Sequence, residues 1–79
     1  MKKQLEAIVK NLADDGHQVH VVTSPESIIL SFRDVNSYSL KDRILEKAKG
    51  YLVASFGKGN VLEDFDKTTG DLDLYFRRN

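Results

Sequence analysis

The chain has 79 residues, in which 12 Lys plus Arg balance 12 Asp plus Glu, and it contains no cysteine. That length predicts one small globular domain, 1–79, near the size at which a hydrophobic core supplies only a few kcal/mol of net stability. The missing thiols exclude disulfides, cysteine nucleophiles and Cys-ligated zinc or iron–sulfur sites, and the balanced charge withholds the basic excess that marks most nucleic-acid binders.

The first segment, MKKQLEAIVKNLADDG, carries two lysines where a signal peptide would, but charge interrupts its apolar residues every few positions. It therefore reads as neither a secretory segment nor a membrane span, and a soluble cytoplasmic protein with no membrane partner is expected. Leu5, Ile8, Val9 and Leu12 stand at i, i+3, i+4 and i+7, the stripe of an amphipathic helix from about Lys3 to Asp14. Gly16 is a suitable residue to end it, and Asp14 and Asp15, at the unfavourable end of the helix dipole, read as solvated turn residues.

His17 to Thr23 and Ser27 to Arg33 alternate as two strands of a hairpin across Thr23-Ser24-Pro25-Glu26. The register implied sets Val21 against Ile28, Val19 against Leu30 and His17 against Phe32. It leaves Gln18, His20, Val22, Ile29 and Ser31 on the outer face. After a loop from Arg33 to Ser37, Ser39 with Asp42 resembles a capping box. Leu40, Ile44, Leu45 and Ala48 then mark a second helix from about Leu40 to Lys49, closed by Gly50.

The last third, Tyr51 to Arg78, reads as three short strands joined by the turns Gly57-Lys58-Gly59-Asn60 and Lys67-Thr68-Thr69-Gly70. A four-residue second turn sets Asp66 against Asp71, Phe65 against Leu72, Asp64 against Asp73, Leu62 against Tyr75 and Val61 against Phe76, so that apolar meets apolar. Across the first turn Phe56 faces Val61, Ala54 faces Glu63 and Leu52 faces Phe65. Glu63 is the one misfit on the core face, best explained as a rim residue whose carboxylate reaches solvent. The fold class expected is α+β, a two-layer sandwich of two amphipathic helices on one face of an antiparallel sheet, in the order α-β-β-α-β-β-β.

No constellation of catalytic residues emerges. His17 and His20, three apart on a strand, point to opposite faces and cannot share a metal. The run DFDKTTGDLD resembles a calcium loop, but Thr69 stands where that loop needs glycine and Tyr75 where it needs a bidentate acid. The GKG at Gly57 to Gly59 lacks the spacing of a phosphate loop, and no Ser or Thr has nucleophile-elbow spacing. No metal, cofactor or enzymatic activity is expected.

The outer sheet face points instead to a non-enzymatic protein-binding module, a small regulator or inhibitor. Val53, Leu62 and Tyr75 are its apolar centre, with Val22 and Ile29 adding to it, and Asp64, Asp66, Asp71 and Asp73 form an acidic rim suited to a basic protein partner. A homodimer through the same patch is the second expectation. The third, against which the balanced charge counts, is single-stranded nucleic acid held by Lys2, Lys3, Lys10, Arg77 and Arg78.

Overall fold

A computed structural model gives the fold and describes residues 2–78. Helix α1 spans Lys2–Asp14, strand β1 His20–Thr23, strand β2 Ser27–Phe32, helix α2 Tyr38–Phe56, strand β3 Gly59–Asp66 and strand β4 Asp71–Arg78. The four strands form one antiparallel sheet in the order β1-β2-β4-β3. Helix α1 packs beside β1, and α2 lies against α1 and across β4 and β3. The result is the expected α+β two-layer sandwich, in the order α-β-β-α-β-β.

The core lies between the layers. Leu5, Ile8 and Leu12 of α1 and Ile44, Leu45, Ala48 and Leu52 of α2 meet Ile28, Leu30 and Phe32 of β2 and Leu72, Leu74 and Phe76 of β4, all buried in one cluster. In α1 these are the residues that the 3.6-residue period puts on one face. On the sheet they belong to a single face because β2 and β4 pair directly, with Ile28 opposite Phe76, Leu30 opposite Leu74 and Phe32 opposite Leu72. These three cross-strand pairs join the first hairpin to the second.

The structure corrects the expected third strand. Tyr51–Phe56, read as a strand, continues α2, which runs 19 residues and ends at Gly57 rather than Gly50. Both periods are present in this segment, and either one turns Leu52 to the core. As a helix it places Leu52 four residues beyond Ala48, on the stripe of Ile44 and Leu45, where it is fully buried. Burying a leucine contributes roughly 1.5–3 kcal/mol, which outweighs the ~1 kcal/mol that a glycine costs inside a helix. Gly50 sits on the exposed side of α2, and a methyl group there would meet nothing within 4 Å beyond its own helix. The helix closes where Gly57, at φ 83°, donates its N–H to Val53 O at 2.8 Å. At its start the cap is Ser37 rather than Ser39, and Ser37 Oγ accepts the N–H of Leu40 at 3.1 Å.

The first hairpin also departs from expectation, by two residues of register. Val21 lies opposite Leu30 and Thr23 opposite Ile28, so the loop tightens and His17, Gln18 and Val19 fall outside β1. A slip of two preserves every face, so the hydrophobic pattern alone cannot distinguish the two registers. The turn chemistry does: Ser24 N donates to Ser27 O at 2.9 Å, the two hydroxyls lie 2.9 Å apart, and Ser27 N donates to Ser24 Oγ. These bonds clamp Pro25 and Glu26 as a two-residue loop.

The second hairpin has the register expected from the sequence, from Val61 opposite Phe76 to Asp66 opposite Asp71. Its turn is held by Asp66, whose Oδ1 accepts the N–H groups of Thr68 at 2.9 Å and Thr69 at 3.3 Å. Gly70 takes the left-handed position at φ 79° and accepts the N–H of Val35 at 2.8 Å. That bond anchors the loop before α2, where Val35 is buried and Asp34 stands at φ 60°.

Candidate protein-binding face

Because both helices cover one side of the sheet, the opposite side carries the residues that alternation turns away from the core. The registers line these up in rows perpendicular to the strands. Val22 of β1 pairs with Ile29 of β2, Ile29 with Tyr75 of β4, and Tyr75 with Leu62 of β3. One apolar row therefore crosses all four strands. Leu62 is 69 % exposed, Val22 48 % and Tyr75 37 %, with Ile29 half-buried between its neighbours.

The two flanks of this row differ in charge. On the side of the Lys67–Gly70 turn the next row is His20, Ser31, Asp73 and Asp64, and beyond it stand Asp66 and Asp71. Like charges directly opposite on a sheet destabilise it, by an amount on the order of a cross-strand pair, ~0.2–1 kcal/mol for each couple. On the other side the next row is Ser27, Arg77 and Asn60. Arg77 Nη2 reaches Glu26 Oε2 at 3.5 Å, with both side chains well exposed, so this pair contributes little.

Of the residues expected to form the site, the structure brings Leu62, Tyr75, Asp64, Asp66, Asp71 and Asp73 onto this face in the expected pairing. Asp66 has a structural task as well, in the turn. Val53 is a correction. It lies on α2, 44 % exposed, in the helical layer rather than on the sheet. Its assignment to the face depended on Tyr51–Phe56 being a strand. The contribution of Val22 and Ile29 is larger than expected, since pairing of β2 with β4 makes the patch continuous, and no local signal in either hairpin announces that pairing.

Glu63 resolves as a rim residue. It faces the helical layer opposite Leu74, and its Oε2 lies 3.1 Å from Lys41 Nζ, which also meets Asp42 Oδ1 at 2.9 Å. Hydrogen bonds to Asp42 and then to Glu63 hold the Lys41 ammonium above its usual pKa range. Beside it the ring of Tyr38 meets Phe65 edge-on at 5.5 Å, with Lys67 Nζ 5.3 Å from the Tyr38 centroid.

The remaining features offer little to a reaction. Asp15 accepts from Tyr51 Oη at 2.7 Å and lies 3.4 Å from Lys47 Nζ. The Tyr51 hydrogen bond, with Lys47 assisting, holds the Asp15 carboxyl below its ordinary range. An apolar groove of about 730 Å³ between α1 and β1 is floored by Leu5, Val9 and Val21 and rimmed by Lys2, Glu6 and Lys10. A hollow of about 640 Å³ is lined by His17, Phe32, Asp34 and Ile44, and His17 Nε2 is buried there without a hydrogen-bond partner. Among the described residues no three His, Asp or Glu side chains are gathered to hold a metal ion, and no helix is long and apolar enough to cross a membrane. No protein-family model matches the chain, and no curated protein matches it significantly.

Proposed function

We propose that this chain is a non-enzymatic protein-binding module that works through the uncovered face of its sheet, in the reducing setting of the cytoplasm that a cysteine-free sequence suits. The observation that supports this most is the row Val22, Ile29, Tyr75 and Leu62, apolar across every strand and covered by neither helix. A contiguous apolar patch edged by polar residues is typical of interaction sites. In the proposed mode Tyr75 is the anchor, an aromatic ring with a polar tip, while Leu62, Ile29 and Val22 exclude water around it. The acidic flank steers a partner that carries positive charge beside its own apolar centre, which makes the association sensitive to salt.

The test is capture of partners by the tagged chain from a lysate of its source, treated with nuclease, with Tyr75→Ala as the comparison. The expected result is a protein retained after nuclease and lost at least tenfold with Tyr75→Ala, a truncation typical of interface anchors costing more than ~1–2 kcal/mol. Far-UV circular dichroism should show the variant folded. Unfolding by Tyr75→Ala would make this face part of the core and remove the reading, as would retention that disappears with nuclease.

A further inference from the structure

The partner described above needs an apolar centre flanked by positive charge, and the sheet face itself has both. We propose that the outer face pairs with the same face of a second copy of this chain, about a two-fold axis lying along the apolar row. The inference rests on the reading of that face as a binding surface, and goes beyond it by naming the occupant and its orientation.

The charge pattern selects the axis. Rotation about the row lays Tyr75 over Tyr75 and Leu62 over Leu62, and exchanges the two flanks. Asp73 and Arg77 stand the same two positions on either side of Tyr75 in β4, so Asp73 of one copy comes over Arg77 of the second. An axis parallel to the strands would instead lay the acidic flank on the acidic flank, placing Asp64 and Asp73 among their own copies. Like-charge contact of that kind is strongly disfavoured at an interface. At Asp73 and Arg77 the face is thus complementary to itself in one orientation and repels itself in the other, with Glu26, 3.5 Å from Arg77 Nη2, tempering the attraction. Two sheets facing each other at ~10 Å with strands nearly aligned is an ordinary packing geometry.

The size of the face sets the strength. Four strands at ~4.8 Å spacing and about six residues of each at ~3.3 Å give a footprint of roughly 19 × 20 Å, so the contact falls below the ~1,200 Å² of total buried surface at which standard interfaces begin. The dimer is therefore expected to be weak and concentration-dependent, and its charge pairs make it weaker in high salt.

The test is sedimentation velocity of the whole chain from micromolar to millimolar concentration, using Asp73→Arg and Arg77→Asp. Each variant alone sets like charges opposite each other at positions 73 and 77 and should associate about tenfold more weakly than the unaltered chain. An equimolar mixture of the two should recover the original association, because the introduced arginine of one variant meets Arg77-side aspartate introduced in the other. Leu62→Asp should leave only monomer. A mixture no stronger than its components overturns the two-fold arrangement, and an unaltered chain that stays monomeric at millimolar concentration overturns pairing altogether. The lysate experiment with Tyr75→Ala reads the binding face separately, so a monomeric chain that still captures a protein through Tyr75 tells loss of the second copy from loss of the face.

Discussion

Asp15 shows how a residue that reads as an unremarkable turn acid acquires a role through the fold. It follows α1, where a carboxylate gains nothing from the helix dipole, yet it accepts the Tyr51 hydroxyl from α2 at 2.7 Å and so ties the end of one helix to the middle of the other. The tie is pH-dependent in a defined direction. The folded state holds the Asp15 carboxyl below its unfolded pKa, so the contribution is fully present above the unfolded value and is lost as the pH falls through the lower folded value. Tyr51→Phe should therefore be less stable than the unaltered chain at neutral pH, and the gap should narrow as the pH falls below the ordinary carboxylate range. Urea unfolding of both proteins at neutral and strongly acidic pH checks this, and a gap that stays constant would show that only ring packing had changed. Nothing in the sequence signals the bond, since its partners are 36 residues apart.

At the scale of elements, α2 makes the strongest claim about the sequence. Its last turns contain an alternating run that also has helical spacing, and Gly50 stands where a helix could end. In the structure Gly50 is helical and exposed, and a methyl group added there would reach open space beyond its own helix. Gly50→Ala should then stabilise the protein by about 0.5–1 kcal/mol, through higher helix propensity and a less mobile unfolded chain. Chemical denaturation measures it; destabilisation would indicate that Tyr51–Phe56 is not helical. The second hairpin was legible in full because a register shifted by one residue in either direction would set Phe65 against an aspartate, Asp71 or Asp73, and Asp64 against a leucine. The first hairpin was legible only as to faces, because a two-residue slip leaves the pattern unchanged and Ser24 and Ser27 settle it through hydrogen bonds. Of the candidate site, Leu62, Tyr75 and the four aspartates followed from that one hairpin. Val53 did not, because its place depended on choosing between two periods that both fit.

The molecule as a whole is a thin sandwich, 32 × 23 × 18 Å, with one sheet face sealed by helices and the other left open. Pairing of β2 with β4 does two things at once. It closes the core through Ile28, Leu30 and Phe32 on one side, and on the other it sets Ile29 beside Tyr75, turning two small patches into a row. A chain of 79 residues has little core to spare, so apolar side chains left in water on an ordered sheet represent burial not used in folding. On the proposed reading that burial is completed by association. The most direct check is a dilution series of amide proton–nitrogen spectra of the chain at low salt. Concentration-dependent shifts are expected, centred on Val22, Ile29, Leu62 and Tyr75 and extending to Asp73 and Arg77, with the helical residues unmoved. Spectra unchanged from millimolar to micromolar concentration, or shifts confined to α1 and α2, would contradict it.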